Sequence, residues 1–401
     1  MKVMKKNLGV FALHPIPYLS PIFKEFNIYQ KNNSCLYNLS VFYGNDYSKK
    51  SVFNKEFKSY IRQDNDLLDG YRSIFLKNYP LSTKDSFFYR INPTIIWELY
   101  NNKVDIILIH GYNTLTSWLI LLISKILNIK VIFRGEVIEK KLKPQILIIK
   151  WIKRKLVRIF LNNCNAIMYS CKGNKSFLSA RVSLNKKMFF IPCAVDNNFY
   201  RKQYQKNIRT SNAFKKKNNI DLNDMVIVFS GRFTQRKRPM DILKAVSTIP
   251  NKNITIIYLG DGPLMQEMKE FSSLHEIKSI FTGYLNKYET SKYYSISDLF
   301  IIPSDYDPSP KALNEAMNFK LPVIVSRGLG TCEDLVDEDK NGYIIDIGDT
   351  LSLSKKIDLL NNKRNKLIEF GDYSYNKISS WNFEEDVKSI IQAANYVIKE
   401  T

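Results

Sequence analysis

Short apolar runs alternate with segments of helical spacing, and almost every run in residues 226–325 ends in a polar turn. This alternation constrains the fold more than any other feature. Val226–Phe229, Ile254–Tyr258, Ser279–Thr282, Leu299–Ile302 and Pro322–Val325 read as strands. Met240 opens a helix after the first of them, and Pro310–Phe319 reads as another. Strands alternating with helices signal a parallel sheet with crossover helices. The motifs Gly231-Arg232, Gly260-Asp261-Gly262-Pro263, Gly283-Tyr284 and Pro303-Ser304 all follow strand C-terminal ends. In open α/β sheets ligands bind at that edge.

The first half repeats the pattern. Leu8–Leu13, Cys35–Tyr43, Val104–Ile109, Val131–Phe133, Ala166–Tyr169 and Met188–Ile191 read as strands. Ser20-Pro21 opens a helix with Ser as N-cap and Pro at the first helical position. Asn92-Pro93 opens a second helix, Leu115–Leu127 forms a third, and a long basic helix is expected over 144–161. Residues 44–90 carry no readable pattern. With 401 residues, two α/β domains are expected. The boundaries read as 1–195, a Lys- and Asn-rich linker over 196–222, a second domain over 223–375, and a C-terminal helical segment over 376–401.

The net charge of +22 points to anionic partners: phosphorylated substrates, an anionic membrane surface or nucleic acid. The basic residues are spread along the chain beside no nucleic-acid-binding motif, so nucleic acid is set aside. The five cysteines, Cys35, Cys164, Cys171, Cys193 and Cys332, have no metal-knuckle spacing and read as reduced thiols of a cytosolic protein. The run after Lys2, Lys5 and Lys6 is too short for a signal core. Ile106–Ser124 has the length of a membrane span, but His110-Gly111-Tyr112-Asn113-Thr114 breaks it into strand, turn and helix.

Two constellations carry chemistry. In Ser230-Gly231-Arg232-Phe233-Thr234-Gln235-Arg236-Lys237, Gly231 permits close backbone approach, and Arg232 and Lys237 set two cations where a pyrophosphate fits. The same residues also suit a solvated basic loop. In the second, Asp307 precedes a helix expected to have Ser309 as N-cap and Pro310 as its first residue. Lys311 and Ala312 then offer N–H groups at the positive end of the helix. Glu315 lies within reach of a sugar diol. Asp307 as a turn residue and Glu315 as a packed helix residue stand as alternatives, and Asp305-Tyr306-Asp307 also reads as a metal-binding pair. Of the three histidines, His14 and His110 follow strand ends. Each suits a structural hydrogen bond as well as catalysis.

In order and spacing, these motifs resemble the donor domain of family 4 glycosyltransferases, within the glycosyl transferases group 1. The likeness runs through Gly231-Arg232 with Lys237, Gly260-Asp261-Gly262-Pro263, Gly283-Tyr284, Pro303-Ser304, Asp307 with Glu315, Pro322-Val323-Ile324-Val325-Ser326, Asn341-Gly342-Tyr343 and Gly348-Asp349. It continues more loosely through His14-Pro15-Ile16-Pro17-Tyr18, His110-Gly111, Arg134-Gly135-Glu136 and Ala194-Val195-Asp196. The resemblance implies a GT-B fold: two Rossmann-like domains facing each other across a cleft, with the C-terminal helix returning to the first. It implies a retaining transfer from a nucleoside diphosphate sugar to a glycan or lipid-linked acceptor, with no cofactor and no required metal. Arg232, Lys237, Gly283, Tyr284, Ser309, Lys311, Ala312 and Glu315 would hold the donor. Asp307, Arg134 and His110 would stand at the reacting sugar, and His14, Tyr18 and Glu136 on the acceptor side. Two departures stand out. The family's first carboxylate is usually Glu before a Gly-aromatic-Gly turn, where this chain has Asp307 before Pro308-Ser309-Pro310. Many relatives carry His where Arg134 stands.

The rival readings are a nucleotide-sugar epimerase of the same architecture and a non-catalytic glycan-binding module. The basic amphipathic stretch from Lys140-Lys141-Leu142-Lys143-Pro144 through Lys150, Trp151, Lys153, Arg154 and Lys155 to Arg158 fits an anionic membrane surface. It also fits an ordinary helix with a solvated cationic face. The expected location is the cytoplasm, with peripheral attachment to the inner face of the cell membrane as the further expectation.

Overall fold

Two parallel sheets, each the core of its own unit, organise the chain in this computed structural model. It describes residues 5–33, 36–45, 52–54, 59–61, 65–79, 81, 87–89, 91–139, 147–250 and 253–399. Cys35 and the Lys140–Pro144 run lie outside the described residues, as does the Lys150 side chain.

The N-terminal unit comprises Met1–Cys193 and Phe383–Thr401. Its strands are β1 (Lys6–Ala12), β2 (Tyr37–Tyr43), β3 (Val52–Asn54), β4 (Ser59–Ile61), β5 (Arg72–Phe75), β6 (Ile106–His110), β7 (Lys130–Arg134), β8 (Ala166–Tyr169) and β9 (Met188–Phe190). Seven of them form one sheet in the order β5-β2-β1-β6-β7-β8-β9, and β3 and β4 pair separately as an antiparallel hairpin. Ile106–Ile109 and Ile132–Phe133 are fully buried, because helices cover both faces of the sheet.

The helix Phe383–Lys399 belongs to this unit although it closes the chain. Val387, Ile390, Ala393, Ala394 and Val397 pack into the core with Phe23, Phe26 and Val41. Tyr37 Oη donates to Asn395 Oδ1 at 2.5 Å. The return of the C-terminal helix, expected from the resemblance, is therefore present. It starts at Phe383; residues 376–382 belong to the other unit.

The C-terminal unit, Ala194–Asn382, is built on β10 (Met225–Ser230), β11 (Ile254–Leu259), β12 (Lys278–Phe281), β13 (Leu299–Ile302), β14 (Val323–Ser326) and β15 (Gly342–Ile345). The order β12-β11-β10-β13-β14-β15 reverses between β10 and β13. That is the Rossmann order, and the reversal marks a topological switch point where such sheets take ligands.

Residues 196–222, expected as a linker, are mostly helical. Asn197–Asn207 is capped by Asp196, whose side chain accepts the Phe199 N–H, and Ser211–Lys217 follows after a single 3-10 turn. Arg201 fixes the first helix by donating to Asn318 Oδ1, the Tyr375 carbonyl and Ser379 Oγ. The polar composition that reads as a linker is that of helices whose outer faces meet water. Two expected caps also differ. The helix Ser20–Asn32 is preceded by Leu19 as its N-cap, and the Ser20 hydroxyl lies 3.4 Å from Tyr43 Oη instead of capping. Pro310, not Ser309, stands at the N-cap of Lys311–Met317. Proline pushes Ser309 toward extended backbone, and Pro310 is itself extended at ψ 113°, so helical geometry starts at Lys311. Among the described residues no helix is long and apolar enough to cross a membrane.

Candidate functional site

At the C-terminal edge of the second sheet, five loops interlock around the β10/β13 switch point. The loop after β10 leaves Ser230 through Gly231, forms a 3-10 turn over Gln235–Lys237 and places Arg238 in left-handed backbone at φ 52°. Gly260 lets the loop after β11 approach it. At φ 137°, a Cβ on Gly260 would stand 2.1 Å from the Gly231 carbonyl oxygen. The Gly260 N–H donates in turn to the Gly283 carbonyl at 3.0 Å. Tyr284 beside it is exposed.

The basic loop is tied to the loop after β13. Arg236 Nη1 donates to the Tyr306 carbonyl at 2.5 Å, and its own carbonyl accepts the Asp305 N–H at 2.8 Å. Arg238 donates to Asp305 at 3.1 Å and to Asp241 at 2.6 Å. Lys237 Nζ pairs with Asp307 Oδ2. Asp307 is held by its backbone as well: its N–H donates to the Gly328 carbonyl at 3.0 Å, and its carbonyl accepts the Gly330 N–H at 2.9 Å. Gly328 is required there, since a Cβ would lie 2.1 Å from the Ser304 carbonyl oxygen. Burial and the neighbouring Arg236 guanidinium together push the Arg232 pKa below its ordinary value. Like charges held this close favour an anion between them.

Lys311–Met317 starts beside this assembly, and the opening N–H groups of any helix lack carbonyl partners one turn back. Lys311 Nζ donates to Ser309 Oγ at 3.3 Å. Glu315 is buried on the inner face, where the phenol of the fully buried Tyr294 donates to Oε2 at 3.3 Å. The structure thus brings Lys237 and Asp307 into direct contact and both carboxylates of Asp305-Tyr306-Asp307 into ion pairs with cations. Among the described residues, no group of three or more His, Cys, Asp or Glu side chains could hold a metal ion.

Sequence reasoning missed Arg236, Arg238 and Tyr294 as parts of this assembly. The signal for the arginines was present: a run rich in cations, Arg232 to Arg238, matches a later pair of acids, Asp305 and Asp307. Nothing in the spacing of Tyr294 marks it as the partner of Glu315.

In the N-terminal unit, His110 ends β6 and Arg134 ends β7, and the two are register partners. The Gly111 N–H donates to the Arg134 carbonyl at 2.8 Å. Burial, reinforced by the Arg134 charge, lowers the His110 pKa to about 3. The Arg134 side chain is buried, with Nη2 3.9 Å from Glu136 Oε1. Cys193 Sγ donates to that same Glu136 oxygen at 2.7 Å, and the Cys193 N–H donates to Asp386 Oδ1 of the C-terminal helix at 3.1 Å. Burial opposes the Arg134 charge, but Cys193, Asp386 and Glu136 outweigh it and raise the guanidinium pKa. His14 lies part-buried two residues beyond β1, and Tyr18 is exposed four residues further on. The four described cysteines are buried free thiols.

Residues 210–377 match the family model described as glycosyl transferases group 1. A curated relative is the GalNAc-alpha-(1->4)-GalNAc-alpha-(1->3)-diNAcBac-PP-undecaprenol alpha-1,4-N-acetyl-D-galactosaminyltransferase of Campylobacter jejuni. The two are 25% identical over 233 residues, 57% of this chain and 57% of the relative, so the chain spans little more than half of that protein's length in the match. Among solved structures, sucrose-phosphate synthase from Thermosynechococcus elongatus superposes with a TM-score of 0.74 at 14% identity, covering 99% of this chain and 100% of that one. HepE of Anabaena in complex with UDP gives 0.70 at 14% identity, covering 98% and 100%. At these identities the likeness is one of fold.

Proposed function

We propose that this chain, whose residues 210–377 match the family model of the glycosyl transferases group 1, is a retaining glycosyltransferase. It moves a sugar from a nucleoside diphosphate sugar to a glycan or lipid-linked acceptor in the synthesis of a surface polysaccharide or glycoconjugate. The observation that carries this reading is the cation and carboxylate assembly of Arg232, Lys237, Asp307 and Glu315 at the β10/β13 switch point. The Campylobacter relative, named for a PP-undecaprenol acceptor, and the UDP-bound Anabaena structure support it.

In this reading Arg232 and Lys237 hold the diphosphate, with the N–H groups of Lys311 and Ala312 and the Ser309 hydroxyl beside them. Glu315, oriented by Tyr294, accepts from the ribose hydroxyls. Gly283 and Tyr284 border the nucleotide. Asp307 turns from Lys237 to a hydroxyl of the transferred sugar once the diphosphate neutralises the lysine. Catalysis is then positioning plus stabilisation of the leaving diphosphate, without a cofactor or an obligatory metal. On the other unit, His110 and Arg134 address a substrate group near the reaction, and His14, Tyr18 and Glu136 contribute to the acceptor side.

The reading extends to a peripheral position at the cytoplasmic face of a membrane. The helices Ile95–Asn101, Leu115–Ile126 and Leu147–Asn162 back the same core. Their outer surfaces expose Trp97, Tyr100, Leu122, Ile126, Trp151, Ile152, Leu156 and Ile159. Glu98 is the only acid in these three helices, whereas Lys125, Lys153, Arg154, Lys155 and Arg158 are basic. Apolar side chains interspersed with cations suit anionic lipid, and nucleic acid is not a proposed partner.

The test is a thermal-shift screen against nucleoside diphosphates and their sugars, followed by nucleotide release with and without glycan and lipid-linked acceptors. Stabilisation by a nucleoside diphosphate and acceptor-dependent release are expected. A protein that neither binds nor turns over any nucleotide sugar would refute the reading. Isomerisation of the donor without transfer would favour the epimerase instead.

A further inference from the structure

Glu315 has a partner that packing alone does not explain. Tyr294 is the last residue of the helix Lys287–Tyr294, whose start is fixed by a capping box. The Asn286 side chain accepts the Tyr288 and Glu289 N–H groups, and Glu289 accepts the Asn286 N–H. The Tyr294 ring is fully buried, its centroid 5.3 Å from that of Phe319 and 6.3 Å from that of Phe300 in β13. Phe319 is held in turn by Tyr200 and Tyr204, at 6.1 and 6.0 Å. A phenylalanine would fill these aromatic surroundings equally well, whereas a buried hydroxyl is costly unless it is bonded. The Tyr294 hydroxyl donates to Glu315 Oε2 at 3.3 Å. Glu315, itself buried, stands on a different element, the helix Lys311–Met317. A carboxylate has about four acceptor positions. The phenol takes one and, because its ring is packed in place, fixes the plane in which the others lie.

We infer that Tyr294 is a positioning residue which, through Glu315, makes the site prefer a ribose to a deoxygenated pentose in the donor nucleotide. The inference rests on the glycosyltransferase reading, in which Glu315 accepts the ribose hydroxyls, and deepens it. Two vicinal hydroxyls can both bond one carboxylate only when its plane is set toward them. A carboxylate that turns freely accepts one hydroxyl at a time, and the penalty against a nucleotide lacking the diol shrinks accordingly. The fully buried phenol is itself out of a substrate's reach. Its effect therefore appears only where both the diol and the Glu315 carboxylate are present.

The experiment uses the full chain as wild type, Tyr294→Phe, Glu315→Gln and the double variant. Calorimetry measures the affinity of each for UDP, GDP and ADP and for their 2′,3′-dideoxy counterparts. For at least one base the wild type binds the ribonucleotide more tightly. In Tyr294→Phe that ribonucleotide is weakened about tenfold, as expected when a buried carboxylate gives up a hydrogen bond. The dideoxy counterpart binds as in wild type, which shows that the variant is folded and its diphosphate contacts are intact. Glu315→Gln removes most of the preference, and adding Tyr294→Phe to it lowers ribonucleotide affinity no further. A merely structural role for Tyr294 would weaken both members of a pair equally and leave the preference where it was. That result, the absence of any preference in wild type, a preference that survives Glu315→Gln, or the same tenfold loss on the Glu315→Gln background overturns the inference. In each of these cases binding of a nucleoside diphosphate leaves the glycosyltransferase reading standing. Failure of every nucleoside diphosphate to bind the wild type brings down both.

Discussion

Replacing Asp307 with Asn separates the two partners that this carboxylate serves. In the absence of ligand it neutralises Lys237, and the pair is mostly buried, with the side chains 14% and 12% exposed. An exposed ion pair contributes about 0–1 kcal/mol, and stripping one partner from a fully buried pair costs about 3–5 kcal/mol. This pair sits between those limits, and Asn retains a neutral acceptor, so about 2 kcal/mol is expected for Asp307→Asn. At roughly 2–4 °C per kcal/mol for a unit of this size, that is a fall in Tm of about 4–8 °C. The backbone bonds to Gly328 and Gly330 are untouched, so the loss reports charge and not loop geometry. The same substitution frees Lys237 for an incoming diphosphate. A gain of about 1.4 kcal/mol tightens the bare nucleoside diphosphate roughly tenfold, while turnover of the full donor falls because the sugar loses its carboxylate. Calorimetry with the nucleotide, kinetics with the donor and a double-mutant cycle with Lys237→Met measure all three quantities. The cycle should show a coupling of about 1–2 kcal/mol in stability. If Asp307→Asn weakens the nucleotide as much as Lys237→Met does, or the two effects simply add, the switch from lysine to sugar is wrong.

Further outcomes are expected from single perturbations. His110 is neutral in the folded chain down to about pH 3, whereas an unfolded imidazole protonates below about 6.5. Its contribution is therefore complete above pH 6.5 and is lost progressively toward pH 3. Each pH unit in that window costs at most about 1.4 kcal/mol, so denaturant midpoints of His110→Asn should fall less steeply with acid than those of wild type. Gly260→Ala forces a Cβ onto the Gly231 carbonyl and should lower both Tm and nucleoside diphosphate affinity; a neutral result would mean that the loops can separate without loss. Transfer activity should persist in excess chelator, and complete loss restored by manganese or magnesium would return Asp305 and Asp307 to the role of metal ligands. Binding to anionic vesicles should fall with salt and with Lys153, Arg154, Lys155 and Arg158 changed to Gln; indifference of the wild type to such vesicles at low salt removes the membrane from the account.

Most of the fold is legible in the sequence because its strands are buried on both faces. β10, β11, β13 and β14 read as near-continuous apolar runs, and the turns that follow them are marked by glycine and proline. β5 is not legible. Arg72–Phe75 is an edge strand with exposed and half-buried positions, so its sequence lacks the continuous apolar signal of a central one. β15 escaped as a strand for another reason: Gly342 stands in it because a Cβ would meet the Val323 carbonyl oxygen at 1.8 Å, and glycine ordinarily argues against strand. The helices over Asn197–Lys217 are hidden by composition, since their buried contacts come from Tyr200 and Arg201 while nearly everything around them is polar. At the candidate site, residue types and order were legible. Their pairing was not, because Lys237 and Asp307 are 70 positions apart and meet only after β10 and β13 become neighbours.

That pairing changes what the assembly can be without ligand. A loop carrying Arg232, Arg236, Lys237 and Arg238 would repel itself if it stood alone. Asp241, Asp305 and Asp307 take up two of these cations, Arg238 and Lys237, and the Tyr306 carbonyl takes Arg236. Arg238 sits in left-handed backbone, which a non-glycine residue adopts only where its surroundings hold it. Its two carboxylate partners supply that hold. Arg238 and Asp305 therefore stiffen the frame, and Lys237 and Asp307 are the pair with a reason to exchange partners. Arg238→Ala should accordingly act on Tm first and on donor affinity only through the displaced loop. Arg232→Ala removes a cation that burial and the neighbouring Arg236 charge already oppose, so it should cost less stability than Arg238→Ala and cost donor binding about 1.5–3 kcal/mol. Comparable effects of both variants on Tm and on donor affinity would mean that frame and ligand contacts are not divided between these arginines.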